Sequence, residues 1–424
     1  MRIIEGYEAA RKALTRAAAT GDDEREALVR DIVDNVRRRG DAAVYEYTER
    51  FDGVRLRKLE VSRGDIEKAY RDTDGDLLKA LQTARDRIAA FHEEQKATLL
   101  RDGTRERLGW VVRPLGSVGV MVPGVQAPLP SSVLMTAVPA RVAGVKEVVV
   151  VTAPRKDGTV SPVTLAACRL ADADRVFSIG GAQAVAALAY GTETVPRVDK
   201  ICGPGNIYGQ LAKKAVYGAV GIDGMYGPSE VIIIADETAN PAYTAADLLG
   251  QAEHASGATA ILITTSRETA EAVQREITTQ LGKLERKEAT AAALEQKGFI
   301  AVVDSSEQAL ELGNLYAPEH LCIATKNVAS YADKVTNAGC LFVGENAIEV
   351  LVDYVAGPSH VLPTDGTARF SSTLNVTDFV KLMTVVSTDE KDIKELGKAA
   401  SIIARAEGLD AHARAIEKRL ENSN

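Results

Sequence analysis

Residues 147–189 read EVVVVTAPRKDGTVSPVTLAACRLADADRVFSIGGAQAVAALA, and the alternation inside this stretch decides the fold. An apolar run of strand length at 147–152 gives way to a helical pattern through 163–170. A second strand-like run at 175–179 then precedes a second helical pattern at 182–189. Apolar strands separated by helix-length segments imply a parallel sheet covered by helices on both faces. Upstream, Trp110-Val-Val-Arg113 and residues 117–122 read as strands, and 131–142 as a helix interrupted by Pro139. After Gly203-Pro204-Gly205-Asn206 comes a second block of similar make. Its strands fall at 230–235, 260–264, 299–303 and 340–343, and its helices at 244–253, 267–281 and 308–315.

Before both blocks, from about residue 8 to 100, apolar residues recur three and four apart, as in Ile32-Val33, Val36 and Leu81, Ala84, Ile88. Asp22-Asp23 and Asp41 stand where helix N-caps are wanted. Residues 389–424 read as two helices joined at Gly408. The expected fold class is α/β, with two Rossmann-like parallel-sheet domains at 106–225 and 226–375. A helical N-terminal segment (1–105) precedes them and a helical C-terminal tail (376–424) follows. A helical tail this polar packs on something, which in an oligomer is the neighbouring subunit.

The chain is 46% apolar and 26% charged, the balance of a globular protein with ample core. A net charge of −8 argues against a nucleic-acid or anionic-membrane partner, since either selects a basic face. The short run Arg37-Arg38-Arg39 lies in an acid-rich helical pattern and reads as a solvated face. The densest apolar stretch, 147–152, is far short of the ~20 residues that span a bilayer. The opening MRIIEGYEAARKAL carries acids and lacks the cleavage site of a secretory signal. Cys168, Cys202, Cys322 and Cys340 are widely spaced with no CxxC, which suits reduced thiols in a cytoplasmic protein.

Histidine is scarce: of five in the chain, four stand near another potential ligand or acid–base group. Gln251 and His254 are three apart on an expected helix, hence on one face. Glu319 and His320 are adjacent behind Tyr316-Ala317-Pro318, where proline ends the preceding helix. Asp353 and His360 flank the turn-rich Tyr354-Val-Ala-Gly-Pro-Ser359, and Glu407 and His412 bracket Gly408. A single such pair is usually a satisfied surface or core histidine, and His92 on its charged helix reads that way. Four pairs in a histidine-poor chain form a mixed nitrogen and oxygen donor set suited to Zn²⁺, with Mn²⁺ or Co²⁺ as substitutes. No HExxH is present, which excludes a zincin protease. Ile179-Gly180-Gly181-Ala182-Gln183 has the strand-then-helix context of a phosphate-approaching turn, though without GxGxxG spacing. Gly203-Pro204-Gly205-Asn206 and Gly227-Pro228-Ser229-Glu230 are loops that serve either packing or ligands.

Several segments together resemble the histidinol dehydrogenase family, in order and spacing, from about residue 30 to 416. They are Gly180-Gly-Ala-Gln-Ala184, Gly203-Pro-Gly-Asn206, Gly227-Pro-Ser-Glu230, Gln251-Ala-Glu-His254, Tyr316-Ala-Pro-Glu-His320, Asp353-Tyr354 with His360-Val-Leu-Pro-Thr364, and Glu407-Gly-Leu-Asp-Ala-His412. The resemblance implies oxidation of L-histidinol through its aldehyde to L-histidine, with reduction of two NAD⁺. It implies that Gln251, His254, Asp353 and His412 bind one Zn²⁺ per subunit, and that Glu319 and His320 are the acid–base residues. Ser229, Glu349, His360 and Glu407 would contact the substrate, and Met121, Gln183 and Asn206 would border the nucleotide. It also implies a homodimer whose C-terminal tail crosses over, so that His412 completes the neighbour's metal site.

The chemistry agrees with these roles. Hydride loss from an alcohol needs a base for the hydroxyl proton, and a neutral histidine is poised for this near pH 7. A second hydride can leave only after the aldehyde gains water, which Glu319 is placed to activate. Several positions depart from the family's usual residues: Met121, Val125, Met225, Tyr226, Ala255, Val352 and Ser359. None of them removes a metal ligand or the acid–base pair. A relative acting on another small polyol or amino alcohol, such as a sulfonated diol, stays open. So does a metal-stabilised binding protein without turnover, against which the intact Glu319-His320 pair speaks.

Overall fold

The computed structural model describes residues 1–16, 23–103, 107–124, 128–254 and 257–421. Asp22, expected as part of a cap, and the departures at Val125 and Ala255 lie outside the described residues. In chain order the strands are β1 (Arg2–Glu5), β2 (Leu108–Pro114), β3 (Ser117–Val122), β4 (Glu147–Thr152), β5 (Arg175–Phe177), β6 (Lys200–Cys202) and β7 (Gly221–Ile222). They continue as β8 (Glu230–Ala235), β9 (Thr259–Thr264), β10 (Phe299–Val302), β11 (His320–Ala324), β12 (Cys340–Val343) and β13 (Val380–Val386).

The chain forms two compact units, one of Met1–Lys96 with Leu115–Phe379 and one of Ala97–Pro114 with Val380–Asn424. The first holds both parallel sheets. One has five strands in the order β5-β4-β3-β6-β7, and the other has six in the order β1-β10-β9-β8-β11-β12. The second sheet shows why its strands read as continuous apolar runs. Val231, Ile233, Leu262 and Ile300 fill the core on one face, and Ile232, Ile234, Ile261 and Ile263 fill the core on the other. Each such side chain contributes about 1.5–3 kcal/mol on burial. The first sheet packs Val149, Val151 and Phe177 against Leu188 and against Ile32 and Val36 of the entry helix Asp23–Arg39.

The α/β reading holds, and the structure corrects it at particular elements. β2 is not part of the first parallel sheet but pairs antiparallel with β13 as a separate two-stranded ribbon. Residues 2–5, read as part of the helical segment, form β1 on the edge of the second sheet, in register with β10. β11 passes unread in the sequence, because five residues behind a proline make a weak pattern, yet it lies between β8 and β12. Asp41 is not a cap but the first residue of the helix Asp41–Asp52, and its carboxylate takes the hydroxyls of Thr192 and Thr194. Pro139 does not interrupt its helix, which runs unbroken over Pro130–Ala143. The Met135 carbonyl, which a proline four residues on cannot bond, accepts from the Ser359 hydroxyl at 3.0 Å instead.

The second unit pairs the β2–β13 ribbon with the helices Glu390–Ala406 and Asp410–Glu421. Asp389 and Asp392 close a capping box at the first helix's start, and Gly408 at φ +75° turns the chain between the two. Among the described residues no helix is long and apolar enough to cross a membrane. Cys168, Cys202 and Cys322 are buried and Cys340 is partly so; burial pushes the Cys168 thiol up to about 12 and Cys340 to about 11.

Candidate active site

The amino ends of three neighbouring strands of the second sheet converge on one point. Glu319 and His320 stand at the start of β11, with Ser229 and Glu230 at the start of β8 and Cys340 opposite His320 on β12. Helix Pro241–Ala252 delivers Gln251 to the same side in its last turn. His254 is not on that helix, as the spacing suggested, but just beyond it, where its backbone N–H bonds the Gln251 carbonyl. Glu349 and Asp353 share one face of the helix Glu349–Tyr354, four residues apart. His360 returns to them: its Nδ1 bonds the Asp353 carbonyl at 2.9 Å and its Nε2 meets the Ser132 hydroxyl at 3.1 Å. Since a carbonyl only accepts, Nδ1 carries the proton and Nε2 accepts from Ser132.

Glu319 and His320 are both buried, and the His320 Nδ1 lies 3.8 Å from Glu319 and 3.5 Å from Glu349. Glu319 accepts the Glu230 backbone N–H at 2.8 Å. With its carbonyl oxygen turned to that same N–H at 2.7 Å, Gln251 donates from its amide nitrogen to Glu349. Among the described residues, neither ring nitrogen of His320 makes a hydrogen bond of good geometry, nor does the second oxygen of Glu349. Buried polar atoms left open in this way await something that binds there.

The electrostatics point the same way. Burial pushes Asp353 up to about 6 and Glu349 well above the usual carboxylate range, with Asp353 and Glu319 adding to the rise in Glu349. Burial likewise raises Glu319, and it lowers His320 to about 3 and His360 to about 4. A divalent cation is the group that would supply these carboxylates with a compensating positive charge. His254 Nε2 and Asp353 Oδ2 stand 4.0 Å apart. Among the described residues, donor atoms of His254, Glu349 and Asp353 all fall within 4.8 Å of one another. The nitrogen and oxygen donors fit Zn²⁺. Glu349, assigned to the substrate by resemblance, thus stands beside two of the residues assigned to the metal.

The residues assigned to the nucleotide gather at the carboxyl ends of the first sheet, where open α/β sheets bind ligands. Met121 ends near the close of β3, and its methyl packs where a Cβ on Gly205 or Gly209 would come within 3.0 Å. Gly180 and Gly181 lead from β5 into the helix Gly181–Tyr190, which begins with Gln183 buried in its first turn. A Cβ on Gly180 would collide with Ala153, so only glycine brings this turn so close to the end of β4. Asn206 follows β6 and caps the helix Ile207–Val216 by accepting the Gly209 N–H at 3.1 Å.

Glu407 and His412 are exposed and lie in the second unit, on either side of Gly408. His92, expected as an ordinary histidine, is fully buried and bonds the Ile88 carbonyl at 2.8 Å. Sequence reasoning missed the support behind Glu319. Arg16 grips the Glu230 carboxylate with two hydrogen bonds, bonds the Tyr316 carbonyl, and lies 3.8 Å over the Tyr316 ring. Nothing local marks Arg16; Glu230 was visible as the end of a glycine-proline loop and the start of a strand, with no sign of its carboxylate's partner. Ser132 was likewise hidden inside an apolar helix.

The family model described as histidinol dehydrogenase matches residues 15–420. A histidinol dehydrogenase of Dehalococcoides mccartyi is 48% identical over 436 aligned residues, covering 99% of this chain and 100% of that one. One of Deinococcus radiodurans is 49% identical over 399 residues, 93% of this chain and 91% of that one. The crystal structure of histidinol dehydrogenase from Elizabethkingia anophelis superposes with a TM-score of 0.94 at 36% identity, covering 100% of this chain and 98% of that chain.

Proposed function

The chain belongs to the histidinol dehydrogenase family, and from that premise we propose that it oxidises L-histidinol through L-histidinal to L-histidine, reducing two NAD⁺. The observation that carries this reading is the buried Glu319–His320 pair, with its open ring nitrogens, set against the His254–Glu349–Asp353 group. His320 takes the hydroxyl proton as the first hydride leaves to NAD⁺. Burial keeps the free ring neutral, with a lone pair to take the proton, and Glu319 and Glu349 stand 3.8 and 3.5 Å from its Nδ1. Glu319, oriented by the Glu230 N–H, then takes a proton from the water that adds to the aldehyde. The hydrate anion so formed gives up the second hydride, to the second NAD⁺, and becomes the acid.

Gln251, His254 and Asp353, with the partner's His412, would hold Zn²⁺, whose fixed positive charge binds and orients the amine and imidazole of the substrate. Ser229, Glu349, His360 and Glu407 contact the substrate in this reading, and Met121, Gln183 and Asn206 border the nucleotide. The protein works in the cytoplasm as a homodimer, each tail completing the other subunit's site. The test is a steady-state assay with L-histidinol, NAD⁺ and Zn²⁺, beside a sulfonated diol. Two NADH should form per L-histidinol consumed. Turnover of the diol with none of L-histidinol would overturn the substrate and keep the class.

A further inference from the structure

Lys213 and Asp223 form an ion pair at 2.5 Å with side-chain exposures of 0% and 1%. Burial on this scale is poor evidence of stabilisation, because desolvating both charges offsets most of their attraction. What the pair holds is more informative. Asp223 accepts the Gly203 N–H at 2.6 Å through one oxygen, and through the other it accepts the Gly224 N–H at 2.9 Å and the Lys213 ammonium. Lys213 also donates to the Gly203 carbonyl at 3.2 Å. Both backbone polar groups of Gly203 therefore end on one ion pair.

Gly203 is the point both groups hold. It sits at φ +107°, where a Cβ would strike the Met121 carbonyl, so only glycine fits here. The rest of the loop is tied as well. Gln210 accepts the Tyr226 N–H at 3.1 Å, Asn206 caps the following helix, and the Tyr226 ring lies 4.6 Å from the Lys213 ammonium. Tyr226 is one of the positions that depart from the family's usual residues. We infer that Lys213 and Asp223 are positioning residues for the nucleotide, holding Gly203-Pro204-Gly205-Asn206 ready to receive NAD⁺. This rests on the reading of that loop as nucleotide-facing. A loop already in its bound shape spares the ordering cost of binding.

The test is the double variant Lys213→Met/Asp223→Asn, which removes both charges together and strands neither in the core. The dissociation constant and KM for NAD⁺ should rise roughly tenfold, about 1.4 kcal/mol. The kcat at saturating NAD⁺ and the KM for L-histidinol should stay within about twofold, since only uniform binding is lost. Unchanged NAD⁺ affinity in a folded variant overturns the inference. So does an equal loss of L-histidinol affinity, which would make the pair a support of the fold at large. Gln183→Ala is measured alongside. If it weakens NAD⁺ while the double variant does not, positioning fails and the nucleotide reading survives; if neither weakens NAD⁺, both fail. Should the double variant not fold, Lys213→Gln/Asp223→Asn, which leaves no charge unpaired and keeps a donor for the Gly203 carbonyl and an acceptor for its N–H, is held to the same split.

Discussion

Both nitrogens of His360 are engaged, by the Asp353 carbonyl and the Ser132 hydroxyl, whereas among the described residues neither nitrogen of His320 makes a hydrogen bond of good geometry. Substitution should separate the two. His320→Asn gives up no well-formed hydrogen bond, so its melting temperature should stay close to the wild type's while the alcohol step slows by ~10²–10⁴-fold. His360→Leu strands two polar groups and should cost about 1–3 kcal/mol, read from denaturant unfolding. A His320 variant that melts far lower would show that the ring is structural. Glu319→Gln should slow conversion of L-histidinal to L-histidine far more than the alcohol step. Supplying L-histidinal directly is the check, and wild-type speed there would remove Glu319 from its role.

Helix Pro130–Ala143 carries a proline where the chain does not bend away, and the consequence reaches the site. The Met135 carbonyl freed by Pro139 is the acceptor for Ser359, the residue next to His360. The helix between β3 and β4 and the segment after the helix Glu349–Tyr354 are thereby joined through one missing N–H. Ser359→Ala should destabilise by about 1–3 kcal/mol, because a buried carbonyl is left unpaired. In a Pro139→Ala background the new N–H can restore the intrahelical bond, so Ser359→Ala should there cost much less. A double-mutant cycle by chemical denaturation measures this coupling, and strictly additive effects would refute it. The same logic of paired placement applies to Glu349–Tyr354, whose single short helix brings Glu349 and Asp353 to one face.

The second unit exposes an apolar surface that a lone chain leaves wet. Leu108, Leu382, Met383 and Val386 stand out from the ribbon, and Leu396, Ile402 and Ile403 from the helices. Such a surface fits the proposed homodimer, with His412 completing the partner's metal site. A shared site couples association to metal binding, so a strong chelator should abolish activity and raise the dimer's dissociation constant together. Metal analysis finding far less than one equivalent in active protein would contradict the metal centre itself. Mixing inactive His254→Ala and His412→Ala proteins tests the sharing: a mixed dimer holds one doubly damaged site and one intact. Activity should return towards roughly a quarter of wild type on random exchange. No recovery, with exchange confirmed by mass spectrometry, would place His412 in its own chain's site.

Much of this molecule was readable from short-range pattern alone. Strand and helix periods reveal themselves within about a dozen residues, so the two parallel-sheet blocks and most of their elements followed from residues 117–343. The paired motifs around His254, His320, Asp353 and His412 stood out because a histidine-poor chain makes each one conspicuous, and the structure brings His254, His320 and Asp353 to one site. Pattern failed where the decisive partner is distant. Edge strand β1, ribbon strand β2 and short strand β11 take their identity from β10, β13 and β8, which local periodicity does not see. The Met135 carbonyl that Pro139 leaves unbonded finds its partner in Ser359, far along the chain. Burial belongs to the tertiary structure too: neutral His320, elevated Glu319 and the Lys213–Asp223 pair result from exclusion of water, which no run of residues specifies by itself.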